Sequence, residues 1–139
     1  HDSLGLALPT SIQALRCGAT WVDSTVTGMG RGSGNLKTEE FLAERPNKTE
    51  RSHNLSPLLK LIRTRFTELK NRHGWGCNPF YYMAGQHSIH PTYIQTLLKD
   101  GLYDEKDMRA IINDLKQTDC TKFVDATLQR AINAQKPHE

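Results

Sequence analysis

The feature that most constrains this chain is a glycine-rich loop that follows one short apolar segment. The loop, residues 28–34, contains four glycines in seven residues, and glycine permits positive φ angles and close approach of the backbone to other groups. The preceding segment, residues 20–26, is β-branched and aromatic, which predicts a strand buried in a parallel sheet. A strand that ends in such a loop can present backbone N–H groups to a carboxylate or phosphate. The spacing matches neither the dinucleotide-binding fingerprint nor the P-loop.

A helix is predicted before this strand. Leu8, Ile12 and Leu15 recur at i, i+4 and i+7, which is one face of a helix, and Gly18 stands where a left-handed cap is expected. The order of helix, strand and loop is typical of the rim of a parallel α/β barrel. Asp23, near the carboxyl end of the strand, points either to the mouth of a barrel active site or to a satisfied buried carboxylate, and both interpretations stay open.

The remainder of the chain predicts helices. Residues 55–69 form an amphipathic pattern, with one apolar face made of Leu58, Leu59, Ile62, Phe66 and Leu69. Further helices are predicted over residues 78–86, 91–99, 104–115 and 121–134. Because one strand cannot form a sheet, its partners are expected outside this sequence or in another subunit. The predicted domains are residues 1–45, the C-terminal portion of an α/β barrel, and residues 46–139, a helical extension.

Aromatic and histidine pairs in the helical part are further candidates for a site. Tyr81 or Tyr82 could place a phenol in an active site, although packing is the favoured role of such a pair. His87 and His90 have the spacing of a metal-ligand pair. Since Pro91 disfavours helical geometry at His90, packing is favoured for the histidines as well.

Composition excludes several classes of protein. Hydrophobic residues make up 37% and charged residues 24% of the chain, which is typical of a globular protein, and no apolar run approaches the length of a membrane-spanning helix. The formal charge is +3, and the mild basic cluster at residues 63–72 lacks interleaved aromatic residues, so no nucleic-acid partner is expected. The three cysteines, without C-x-x-C spacing, indicate a reducing compartment. A cytoplasmic location is therefore expected.

Residues 1–7 (HDSLGLA), Gly18–Ala19 and residues 22–35 (VDSTVTGMGRGSGN) resemble the HMG-CoA-lyase-like, or DRE-TIM, metallolyase superfamily. The 4-hydroxy-2-oxovalerate aldolase branch is the most similar, because its loop carries Gly-Met-Gly and ends in Gly-Asn. The acyl-transferase branch usually has an acidic residue where this loop has Arg31, and the HMG-CoA lyase loop contains a cysteine. The resemblance implies a (β/α)8 TIM barrel followed by a helical extension. This chain looks like the C-terminal part of that barrel together with the extension.

The resemblance also suggests roles for individual residues. His1 matches the second histidine of the family's His-x-His metal pair, and Asn35 matches a residue that ligates metal in the lyase branch. Tyr82, or Tyr81, is the candidate for a tyrosine that reaches the aldolase active site. The candidates for substrate binding lie in the loop and are Gly28, Gly30, Arg31 and Gly34. The family's first metal-binding histidine and its first-strand Arg, Asp and His are absent from this sequence, so we expect a fragment that is inactive alone.

The implied reaction is the cleavage or formation of 4-hydroxy-2-oxo acids through a pyruvate enolate, with Mn²⁺ or Mg²⁺ as Lewis acid. The implied partners are a small 2-oxo acid substrate and either an acylating aldehyde dehydrogenase or a second copy bound through the helical region. Two alternatives stay open. One is a Claisen-type acyl transferase or lyase that acts on CoA thioesters. The other is a non-catalytic helical docking module.

Overall fold

The computed structural model describes residues 1–44 and 54–135. The chain forms two compact units, His1–Cys77 and Asn78–Glu139, which are described separately. The predicted domain boundary after residue 45 falls on residues outside the described ranges and stays a prediction. None of the described helices is long and apolar enough to span a membrane.

The predicted portion of a TIM barrel is wrong for this structure. The described ranges contain helices and no sheet, and segment 20–26 takes part only in an isolated parallel bridge between Thr25 and Lys37. Trp21, which was predicted to be buried in a sheet, is 91% exposed. A parallel strand needs neighbours along its full length to satisfy its N–H and C=O groups, and the described residues supply none for most of this segment.

The first unit is helical. Helix α1 spans Ala7–Arg16, a 3₁₀ turn spans Val26–Gly28, and α2 spans Thr38–Glu44. The α1 helix predicted from the apolar spacing is confirmed. A longer helix consists of α3 (Ser56–Leu61), a π-helical turn (Ile62–Phe66) and α4 (Thr67–His73), and it ends at Gly74, which has φ +67°.

The long helix has a different register from the predicted one. Leu59 and Leu69, placed on the apolar face by the sequence pattern, are 53% and 36% exposed. The half-buried positions are instead spaced by four: Leu58, Ile62, Phe66 and Lys70. Because a π turn contains more residues per turn than an α-helix, the turn at 62–66 keeps these four positions on one side. Lys70 thus takes the inward place that the sequence pattern assigned to Leu69.

The second unit contains α5 (Pro79–Gln86), α6 (Pro91–Asp100), α7 (Glu105–Leu115) and α8 (Asp125–Asn133). The sequence predicted all four, although α8 begins later than expected. Side-chain caps start three of them: Asn78 on α5, His90 on α6, and Asp104 within a capping box on α7. Because the His90 ring nitrogen accepts the Thr92 N–H, His90 has the structural role that the sequence favoured.

The core of the second unit is apolar and fully enclosed. Tyr93 crosses it, and its hydroxyl donates to the Lys122 carbonyl (3.1 Å) and accepts the Val124 N–H (2.9 Å). The Tyr93 hydroxyl is therefore satisfied both as a donor and as an acceptor, as a buried phenol requires. The side chains with at most 1% exposure are Ala84, Tyr93, Ile94, Leu97, Ile111, Ile112, Leu115, Leu128 and Ala131.

Candidate functional site

The glycine loop closes on itself through its own backbone. The Asn35 N–H donates to the Gly28 carbonyl (3.0 Å), and the Gly34 N–H donates to the Arg31 carbonyl (3.1 Å). Gly28 and Gly34 have φ angles of +69° and +79°. A Cβ at Gly28 would lie 2.8 Å from the Asn35 carbonyl oxygen, and one at Gly34 would lie 2.5 Å from the Gly28 carbonyl oxygen. Both positions therefore require glycine because the two ends of the loop meet there.

A tryptophan after the long helix fixes the start of this loop. Trp75 is 8% exposed, and its Nε1–H donates to the Thr27 carbonyl (3.1 Å). The Thr27 N–H donates to the Glu39 carboxylate (3.0 Å), so this residue, which has a φ of +55°, is held from both sides. The Gly76 N–H adds a bond to the Gly32 carbonyl (3.1 Å). Sequence reasoning missed Trp75, whose only signal is a tryptophan between two glycines at a helix end.

The two predicted metal ligands line one cleft. His1, Asn35 and Asp23 border a cleft of about 590 Å³ beside α1, which is in the size range of small-molecule sites. The Asn35 Nδ2 donates to the Met29 carbonyl (3.0 Å), which leaves the amide oxygen available as a ligand or acceptor. The Thr25 hydroxyl at this cleft is buried without a hydrogen-bond partner among the described residues. The cleft therefore brings together His1 and Asn35, which are 34 positions apart in the sequence.

The described residues do not by themselves fit a metal centre. Within residues 1–44 and 54–135, no group of three His, Cys, Asp or Glu side chains could hold a metal ion. Mn²⁺ and Mg²⁺ take about six ligands, mostly oxygen. His1, Asp23 and Asn35 would supply only part of such a set, so any metal here needs further ligands.

The other predicted site residues are distributed between the units. Arg31 is exposed at the tip of the loop. Tyr82 is 45% exposed on α5 of the second unit. Tyr81 is buried in the core of that unit, and burial raises the pKa of its hydroxyl above the usual value. The structure therefore gives Tyr81 a packing role and leaves Tyr82 on the surface, while substrate contact by Arg31 stays a prediction.

Cys77 is expected to react slowly with alkylating agents near neutral pH. The Cys77 side chain is exposed, but partial desolvation raises the pKa of its thiol and the Asp2 carboxylate raises it further, against smaller opposing effects of the Gly5 backbone and the Lys37 ammonium. Because the thiolate is the nucleophile, the iodoacetamide rate at Cys77 should keep rising above the pH at which an ordinary thiol levels off. Peptide mass spectrometry separates this rate from that of Cys17.

The Asp2→Asn substitution tests the contribution of the Asp2 charge to the pKa of the Cys77 thiol. It retains a side chain that can cap α1 and removes the negative charge, so it should shift the Cys77 rate profile toward lower pH. The Lys37→Met substitution removes a positive charge and should shift the profile in the opposite direction. A profile that neither substitution moves would contradict the electrostatic explanation.

Comparison with known proteins defines the class. The HMGL-like family model matches residues 1–64, the part of the chain that contains the cleft and the glycine loop. This match confirms, over residues 1–64, the resemblance found in the sequence. These residues are therefore similar to enzymes of the aldolase/lyase superfamily.

Three individual relatives are similar to parts of this chain. The 4-hydroxy-2-oxovalerate aldolase of Carboxydothermus hydrogenoformans is 46% identical over 43 residues, which are 31% of this chain and 13% of that protein. The protein of the same name from Thermus thermophilus is also 46% identical over 43 residues, 31% of this chain and 12% of that protein. The 2-isopropylmalate synthase of Methylacidiphilum infernorum is 31% identical over 124 residues, 81% of this chain and 22% of that protein. The matches thus span less than a quarter of each relative. No solved structure matches significantly.

Proposed function

We propose that the protein is a divalent-metal-dependent aldolase that cleaves or forms 4-hydroxy-2-oxo acids through a pyruvate enolate. The observation that carries the proposal is the cleft that His1 shares with Asn35 and Asp23, within a segment of the HMGL-like family. The proposal gives His1 and Asn35 the role of ligands to Mn²⁺ or Mg²⁺. The substrate and water would supply further oxygen ligands, as they commonly do at magnesium sites.

The loop tip supports a role in binding the substrate carboxylate. The backbone N–H groups of residues 30–32 make no hydrogen bond within the described part of the chain, although Gly32 is buried. Buried N–H groups are rarely left unpaired, and successive free N–H groups form an anion-binding concavity. The exposed Arg31 would add a charge-assisted hydrogen bond to the same carboxylate.

The test is an assay of the native polypeptide that carries this sequence, after its mass and N-terminus have been determined. We expect pyruvate release from 4-hydroxy-2-oxo acids that depends on Mn²⁺ or Mg²⁺, measured by coupling to lactate dehydrogenase. His1→Ala should lower kcat/KM by about 100-fold, because it removes a proposed ligand. The exposed His87 is the matched control, and His87→Ala should change nothing.

Two results would overturn the aldolase proposal. One is the absence of pyruvate release with every 4-hydroxy-2-oxo acid and both metals. The other is an equal effect of His1→Ala and His87→Ala. Binding of Mn²⁺, followed separately by electron paramagnetic resonance, shows whether a loss of activity comes from a loss of metal.

A Claisen-type acyl transferase is the second candidate. The specific support is the match to a 2-isopropylmalate synthase, which extends over 81% of this chain. Arg31, in the place where that branch usually has an acidic residue, argues against it. Thiol release from an acyl-CoA in the presence of a 2-oxo acid, without pyruvate release in the aldolase assay, would favour the transferase.

We also propose that the second unit provides a docking surface, for an acylating aldehyde dehydrogenase or for a second copy of the chain. The support is that residues 78–139 form a compact unit with its own core, as a docking module requires. Sedimentation of the chain alone, and then with a purified dehydrogenase of this class, distinguishes the two partners. A monomer that binds no dehydrogenase would refute this docking proposal.

A further inference from the structure

A small polar cavity lies where the glycine loop meets the end of the long helix. Its volume is about 100 Å³, which accommodates one carboxylate or phosphate group. The loop contributes Thr27, Gly28 and Ser33, and the charged side chains at its walls are Asp2, Lys37 and Lys70. All of these residues belong to the first unit.

The three charged side chains at this cavity differ in whether they have partners among the described residues. Lys37 pairs with Glu40, and Asp2 accepts the Ala7 N–H at 3.0 Å and so caps α1. Lys70 is half-buried and has no hydrogen-bond or ion-pair partner among the residues that the structure describes. Because a charge-assisted hydrogen bond is stronger than one between neutral groups, an anion in the cavity would be a favourable partner for the Lys70 ammonium.

The register of the long helix brings Lys70 to this place. The π turn at Ile62–Phe66 keeps position 70 in line with positions 58, 62 and 66, whereas the apolar pattern of the sequence favours Leu69. π-helical turns are rare, and they occur frequently at functional sites. The chain thus exposes a leucine and turns a lysine toward the glycine loop.

Hydrogen-bonding groups of Ser33 complement this cation. Ser33 is 2% exposed, and its hydroxyl shares a hydrogen bond with the Ser3 hydroxyl (3.1 Å). When the Ser3 hydroxyl donates in this pair, the Ser33 hydroxyl proton is available to a ligand. The backbone N–H of Ser33 also lacks a hydrogen-bond partner within the described residues.

We propose that Lys70 and Ser33 bind a small oxyanion, a carboxylate or a phosphate, in this cavity. The ammonium supplies the charge, and the Ser33 hydroxyl and N–H supply directed hydrogen bonds, which are strongest when the acceptor is charged. The inference goes beyond the proposed aldolase activity and does not depend on it. Its tests measure binding without turnover, so the two proposals can fail independently.

Isothermal titration of the chain with inorganic phosphate, and separately with pyruvate, at constant ionic strength is the first test. We expect saturable binding of at least one anion that depends on Lys70, and the anion that binds more tightly shows whether this site prefers phosphate or a carboxylate. Lys70→Met should raise Kd at least about tenfold, because the free energy of a hydrogen bond to a charged group corresponds to at least about this change in Kd. Lys60→Met removes an exposed lysine from the same long helix and should leave Kd unchanged.

Chemical labelling of the unaltered chain is the second test, and it requires no variant to fold. Acetic anhydride should modify Lys70 more slowly when the preferred anion is present, with no such protection of Lys60, as measured by peptide mass spectrometry. Absence of saturable binding by both anions would overturn the proposal. Equal losses in the two methionine variants, or equal protection of both lysines, would also overturn it, because they indicate non-specific attraction.

Discussion

Replacement of Gly34 by alanine should destabilise the first unit by about 2–5 kcal/mol. The φ angle of +79° costs an alanine about 1–2 kcal/mol. The new Cβ would also lie 2.5 Å from the Gly28 carbonyl oxygen, and overpacking of this kind adds about 1–3 kcal/mol. Since the atom it meets is backbone, relief of the clash would open the loop itself.

Tryptophan fluorescence during urea unfolding measures this effect. Both tryptophans lie in the first unit; Trp21 is already 91% exposed, so Trp75, at 8%, provides most of the change. Gly5→Ala is the matched control, because Gly5 has a φ of +67° and nothing within 4 Å of its Cβ position. Gly5→Ala should lower the stability of the first unit only by the conformational cost of its positive φ, about 1–2 kcal/mol. Equal destabilisation by the two substitutions would refute the close approach at Gly34.

Leu115→Ala should destabilise the second unit by about 2–5 kcal/mol, as typical for a buried leucine. Leu115 is 0% exposed at the end of α7 and belongs to the same core cluster as Ile111 and Leu128. Truncation removes apolar contacts and leaves a cavity, because a close-packed interior relaxes only in part. The predicted effect is therefore larger than the loss of transfer free energy alone.

Amide hydrogen exchange in α7 and α8, followed by NMR, reports on this unit alone. The slowest amides of both helices should exchange faster in the Leu115→Ala variant by a factor that corresponds to the lost stability. The exposed Leu102, at 80%, gives the control variant Leu102→Ala, for which we expect a change within about 0.5 kcal/mol. Unchanged protection in the Leu115→Ala variant would show that this residue does not support the core.

The helices of the second unit were predictable because their signals are local. Apolar residues repeat with the helical period in α6, α7 and α8, and Asn78 and Asp104 precede helices as capping residues. The resemblance carried by residues 1–7 and 22–35 was also readable, and the HMGL-like match to residues 1–64 confirms it. In the site, the same stretch pointed to His1 and Asn35, which line one cleft.

Three features depended on contacts between distant residues. Segment 20–26 has the composition of a strand, yet a strand exists only where other segments pair with it, and in the described ranges only Thr25 forms a bridge. The Trp75–Thr27 bond joins residues 48 positions apart. Lys70 faces the loop because a π turn shifts the helix register, which no apolar period shows. Helical periodicity and caps could thus be predicted from the sequence. Strand pairing, the attachment of the glycine loop to Trp75 and the register of the long helix depended on non-local hydrogen bonds and packing.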